Sequence, residues 1–270
     1  MKTLVLANHK GGVGKSAVAT LLAQYCVRQG HRVLAIDLDH QGNFSEPLIR
    51  SKRAAVAATT ADLLLSSDTA RVPSGGFVLV PAGDPLLGLE RQPALHTPFA
   101  RNLGYFLKSV DDWFDVCLID THPNPDIRLI AALATGDFVL SPIQLNQEAI
   151  SGVRALLHHP RVGLYKIKAL LNPKLSLIGL LPTLVEHTPF QKANFRQILE
   201  RYMDLMIKVS DQPGDVAFMP KRSAIAEAQA DGLVLWEMKK TAARDAWTEI
   251  EPALRRIAGI VVGRELGHGL

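Results

Sequence analysis

The chain has 270 residues, 47% of them hydrophobic, with 30 Lys and Arg against 26 Asp and Glu for a net charge of +4. That length and apolar content suit one large α/β domain with a substantial core and exclude global disorder; the small positive excess is compatible with a polyanionic partner without requiring one. Two cysteines, Cys26 and Cys117, give no disulfide framework, and the lack of any run of about 18 apolar residues excludes a membrane-spanning helix. The first residues enter an apolar run with no charged-then-apolar leader, so a cytoplasmic protein is expected.

The first run, Leu4-Val5-Leu6-Ala7, predicts a strand over residues 3–8. It leads into His9-Lys10-Gly11-Gly12-Val13-Gly14-Lys15-Ser16 and then into a helical run from Ala17, which Gly30 closes as a left-handed cap. Strand, glycine turn and helix form the setting of a phosphate-binding loop. Glycines let the backbone turn so that its N–H groups converge on phosphate oxygens, the helix N-terminus adds its dipole, and Lys15 adds a mobile cation. Ser16 offers a hydroxyl to Mg2+. The general pattern has glycine where His9 stands, and a second lysine, Lys10, fronts the loop. Lys10, Gly11, Gly12, Val13, Gly14, Lys15, Ser16 and Ala17 are the expected nucleotide-binding residues.

Residues 32–37 form a nearly continuous apolar run, as in a strand buried on both faces of a parallel sheet, and end in the oxygen-rich loop Asp37-Leu38-Asp39-His40-Gln41-Gly42-Asn43. Next come a short helix over 60–65, a strand over 76–81 and a helix over 99–110. The strand over 115–120 is apolar until it ends in Asp120. A strand over 138–143, a helix over 147–157 and a strand over 175–184 interrupted by Gly179 follow, then helices over 190–203, 224–230 and 241–258. This alternation predicts an α/β fold with a doubly wound, mostly parallel sheet and helices on both faces, as one domain over residues 1–270. In such a sheet ligands gather at the carboxyl ends of the strands, where Asp37, Asp39 and Asp120 lie; Mg2+ bound to phosphates asks for one or two such carboxylates. His9, His40 and His122 also fall at this edge, but their spacing is not that of a zinc motif, and they read as loop histidines without a ligand role.

Lys10 to Ser16, KGGVGKS, resembles the deviant Walker A motif of the ParA/MinD family of ATPases, most of all the small ParA partitioning type. The likeness continues through Asp37 to Asn43, similar to the family's first switch but with His40 where proline is usual. Ile119-Asp120-Thr121-His122-Pro123 resembles its Walker B strand and second switch, and Ser141-Pro142-Ile143-Gln144 with Glu148 and Gly152 resembles the strand and helix after it. Met219-Pro220-Lys221-Arg222, followed by Glu227 and Ala228, is similar to the late loop that borders adenine. The resemblance implies an ATPase with Mg2+ at Ser16, Asp37 and Asp120. It makes Asp39 the residue that holds the attacking water, and Lys10 the residue that reaches across an ATP-bound homodimer. It further implies non-specific DNA binding, a ParB-like centromere-binding partner that stimulates hydrolysis, and a nucleoid-associated location. No separate N-terminal DNA-reading domain is expected. Lys192, Arg196, Lys221 and Arg222 are the basic residues expected to contact DNA. The alternative is a MinD-like membrane-cycling ATPase. It would need a lipid-docking helix, and the stripe Trp247, Ile250, Leu254, Ile257 and Val261 reads more simply as core. No stable membrane association is expected.

Overall fold

The computed structural model describes residues 1–65, 72–210, 212 and 214–263. Along them run β1 (Lys2–Leu6), α1 (Lys15–Arg28), β2 (Val33–Asp37), α2 (Ser45–Ser51), β3 (Ala55–Val56), α3 (Thr60–Leu65), β4 (Phe77–Val80), α4 (Pro93–Ser109), β5 (Val116–Asp120), α5 (Ile127–Thr135), β6 (Phe138–Gln144), α6 (Ala149–His158), α7 (Leu164–Leu170), β7 (Ser176–Thr183), α8 (Pro189–Tyr202), α9 (Ser223–Asp231) and α10 (Thr241–Val262). The seven strands pair in parallel in the order β3-β4-β2-β5-β1-β6-β7.

Successive side chains of a strand point to opposite faces, and the apolar runs supply two cores accordingly. Val5, Leu34, Ile36, Val78, Cys117, Ile119 and Val139 join the core beneath α3 to α8. Leu4, Leu6, Val33, Ala35, Leu79, Val116, Leu118 and Leu140 join the core beneath α1, α2, α9 and α10. Every residue of β2 and β5 is buried, which explains why both read as unbroken apolar runs. Ile250, Leu254, Ile257 and Val261 of α10 lie in the second core, so that stripe is packing surface. No helix among the described residues is long and apolar enough to cross a membrane.

The register brings three strand ends to one level: Leu6 pairs with Asp120, and Asp37 pairs with Asp120 from the other side. The loop after β1 therefore opens beside two buried carboxylates. Gly30 has φ 84, the left-handed cap expected, and Gly179, at φ 153, sits opposite the register shift between Val139 and Leu140. A Cβ on Gly179 would lie 2.5 Å from the Ile207 side chain. The helix expected over 99–110 begins earlier, at Pro93. Proline suits a first helical position, and Pro98, one turn on, removes one hydrogen bond without ending the helix. Helices α2, α5 and α7 were not expected. Two of them are only seven residues long, and six of the nine residues in α5 are buried, so its sequence has little polar face to reveal a period.

Candidate active site

The phosphate-binding loop is pinned at both ends. Asn8 Nδ2 donates to the Pro142 carbonyl at 2.7 Å, while its Oδ1 accepts from the Lys10 N–H at 2.8 Å. Thr183 Oγ1 donates to the Val13 carbonyl at 2.7 Å, joining the loop to the end of β7. Gly12 and Gly14 have φ of 73 and 81, conformations that side-chain-bearing residues adopt only with strain. Helix α1 begins at Lys15 with no side-chain cap and no acidic residue in its first turn, so its leading N–H groups stay available to an anion.

The two lysines point different ways. Lys15 is buried, with Nζ 3.4 Å from the Lys10 carbonyl, and burial lowers its pKa while Asp120 and Asp39 partly restore it. Lys10 instead turns its ammonium outward to Glu148, just before α6, and holds that carboxyl below its usual range. This pair is solvent-exposed and contributes little to stability, so exchanging it for another partner is cheap.

Asp37 and Asp120 are fully buried. Ser16 Oγ donates to Asp120 Oδ2 at 2.5 Å, whereas Asp120 Oδ1 is buried with no hydrogen-bond partner. Burial, with the charge of Asp37 adding, pushes the Asp120 carboxyl up to about 8. An orphaned carboxylate oxygen beside a hydroxyl, held in a site that disfavours uncompensated negative charge, fits a divalent cation. Asp37 differs: Oδ2 accepts from the Ser45 N–H and hydroxyl at 2.9 and 2.7 Å, and Oδ1 accepts from the Asp39 N–H at 3.0 Å. Both its oxygens are engaged in shaping the loop and the start of α2, and burial pushes it up to about 6. Ser16 and Asp120 thus carry the donor set that fits Mg2+, with Asp37 adding charge behind them.

Asp39 is nearly buried, and its Oδ1 accepts from the Gln41 N–H at 3.0 Å. The His40 and His122 rings meet at 5.1 Å, and Asp39, His40 and His122 each bring a potential ligand atom within 4.8 Å of the others. His9 stacks on His159 at 5.2 Å, and both its ring nitrogens are buried without partners; burial, then His159 and Lys15, push it down to about 4. Pro220 pairs with Val185, and the Met219 N–H donates to the Pro182 carbonyl, so the late loop docks on β7 near the strand end that ties to the Val13 carbonyl. Lys221 pairs with Glu186 at 3.3 Å and Arg222 with Glu249 at 2.6 Å. Lys192 and Arg196, one turn apart on α8, are exposed and make no ion pair among the described residues. Sequence reasoning missed Thr183, Ser45, Asp126 and Arg128. The last two form a buried ion pair after the second switch, whose only sequence trace is a charged Asp-x-Arg at the head of an apolar run.

A glycine loop at the end of a central parallel strand, two buried acids level with it and a serine on one of them define a P-loop nucleotide hydrolase. Residues 1–177 match the family model described as an AAA domain. Protein IncC of Escherichia coli is 37% identical over 265 residues, covering 93% of this chain and 67% of that protein. The chromosome-partitioning ATPase Soj of Thermus thermophilus is 32% identical over 269 residues, covering 98% of this chain and 96% of Soj. Among solved structures, cobyrinic acid a,c-diamide synthase from Mycobacterium smegmatis with bound ADP and magnesium superposes with a TM-score of 0.68 at 25% identity, covering 86% of this chain and 92% of that one. The chain belongs to the ParA/MinD family of P-loop ATPases.

Proposed function

We propose that this protein is a ParA-type partitioning ATPase whose single P-loop domain, residues 1–270, binds ATP, pairs as a sandwich homodimer and holds DNA without regard to sequence. One observation carries the reading: the loop has two lysines, Lys15 folded inside it and Lys10 turned out of it. Lys10 Nζ is held by the exposed Glu148 rather than by its own loop, which leaves it available to a partner's nucleotide. The likeness to the chromosome-partitioning ATPase Soj over 98% of the chain supports partition as the task.

The loop N–H groups and Lys15 bind the β- and γ-phosphates, Ser16 and Asp120 hold Mg2+, and Pro220 borders the base. A Mg2+ ion held by Ser16 and Asp120 would supply charge neutralisation at the phosphoryl oxygens. Asp39 orients the attacking water, with Asp37 fixing the Asp39 N–H. Lys10 leaves Glu148 on dimerisation and offsets the charge of the opposing nucleotide. Lys192, Arg196, Lys221 and Arg222 contact DNA phosphates, and a ParB-like centromere-binding partner stimulates hydrolysis and release, giving nucleoid association in the cytoplasm. Against the MinD-like alternative, the α10 stripe considered for lipid docking is packed in the core.

Co-sedimentation with DNA and with anionic liposomes, with and without ATP, tests this. DNA retention that needs ATP, with none on liposomes, is expected; ATP-dependent liposome binding without DNA binding would replace the reading with the alternative.

A further inference from the structure

Residues 126–128, Asp-Ile-Arg, open the apolar helix α5, and both charged side chains are buried, at 6% and 5% exposure. Burying such a pair costs desolvation that its mutual attraction only partly offsets, so its place asks for a reason beyond stability. Asp126 does two things: Oδ1 caps α5 by accepting the Arg128 N–H at 3.0 Å, and Oδ2 accepts from Arg128 Nε at 3.0 Å and from its NH2 group. The guanidinium is thereby anchored with one arm left over. That arm, NH1, donates to His40 Nδ1 at 3.1 Å.

His40 follows Asp39 directly. From Asp39 to Asn43 the other hydrogen bonds among the described residues stay local: the Asp39 N–H to Asp37, the Gln41 N–H to Asp39 Oδ1, the Gly42 N–H to the Asp39 carbonyl, Gln41 with the His40 ring, and the Glu46 N–H to the Gly42 carbonyl. Arg128 supplies the one that reaches another part of the chain. A guanidinium can only donate, so His40 Nδ1 accepts, and His40 Nε2 lies 2.8 Å from the Gln41 side-chain Nε2. The His40 ring also rests against His122 of the second switch, whose Nδ1 accepts the Asn124 N–H at 3.1 Å. Both Nδ1 atoms of the Asp39, His40 and His122 trio are therefore engaged, and the cation that the trio already has is the guanidinium.

We propose that Arg128 is a positioning residue that fastens the first switch to the second: anchored on Asp126, it holds His40, and through His40 it holds Asp39 where the attacking water must be met. This rests on the reading that Asp39 holds that water. Nucleotide affinity comes from the phosphate-binding loop, which Arg128 does not bond, so losing the tie affects turnover and leaves binding alone. A misplacement of about 1 Å at a reacting group costs on the order of a hundredfold in rate, and a loosened loop that still visits the right position loses less, about tenfold.

The test uses variants that keep the buried pair. Arg128→Lys leaves a cation for Asp126, but one ammonium cannot reach both Asp126 and His40. His40→Phe keeps a ring against His122 and removes the acceptor. Each is expected to lower kcat about tenfold with ATP affinity within about twofold of the parent, and the double variant is expected to be no slower than either single one, since both cut the same tie. Parent turnover in both single variants, losses that multiply in the double variant, or weakened ATP binding in step with kcat would overturn the proposal. Asp39→Ala, measured alongside, separates the two levels. Parent turnover in Asp39→Ala removes the underlying reading. An inactive Asp39→Ala beside fully active Arg128→Lys and His40→Phe removes the Arg128 tie alone.

Discussion

Lys15→Ala removes the buried cation from a loop otherwise made of neutral donors and is expected to abolish ATP binding by calorimetry. Asp39→Ala is expected to bind ATP at parent affinity and to accumulate dimers that do not turn over. Lys10 to Ser16 act through one turn of backbone, so their spacing was enough to expect a phosphate site. Arg128 meets His40 across 88 positions, and Thr183 meets Val13 across 170, pairings that no local pattern encodes. His9 provides a pH test. Held down at about 4 from an ordinary 6.5, it binds its proton more weakly in the folded chain than in the unfolded one. Its contribution to stability is whole above pH 6.5 and is lost as pH falls toward 4. Asp37 and Asp120, pushed up to about 6 and 8, act in the opposite sense, so the parent must be compared with His9→Gln. The variant is expected to lose less stability between pH 6.5 and 4 in urea titrations, and imidazole NMR should find His9 neutral at pH 5.5. An ordinary imidazole titration would remove the burial argument.

Elements were legible where burial is two-sided and illegible where a helix is short or evenly apolar. The runs ending in Asp37 and Asp120 read as strands because both their faces are covered, and they are strands. Helix α5 escaped because it is only nine residues long and its one charged residue, Arg128, is buried, yet its first turn carries the Asp126 cap and Arg128. Gly179 read only as an interruption; the fold explains it as a position of φ 153 with Ile207 against the missing Cβ. Gly179→Ala is expected to lower stability by about 1–3 kcal/mol, measured by urea denaturation, through backbone strain and the forced shift of Ile207. A change below about 0.5 kcal/mol would mean that the β6–β7 edge relaxes freely.

At the scale of the molecule, the proposed work depends on surfaces that the monomer offers only in part. Lys221 and Arg222 must give up Glu186 and Glu249 before they can serve phosphate, whereas Lys192 and Arg196 have no such competitor among the described residues. Lys192→Glu with Arg196→Glu is therefore expected to weaken DNA binding more than Lys221→Glu with Arg222→Glu, alike for all sequences. The dependence of affinity on salt should flatten by about 0.9 in log–log slope for each duplex phosphate that the variant no longer neutralises. The central claim, though, concerns Lys10. Two nucleotides facing each other across a dimer repel, and a cation from each side is needed to offset that repulsion. The most direct measurement is light scattering of Lys10→Ala with ATP beside a nucleotide titration of the same preparation. Lys10→Ala is expected to remain a monomer that binds ATP at nearly parent affinity. A variant that binds ATP poorly yet still dimerises would make Lys10 an ordinary loop cation and contradict the account.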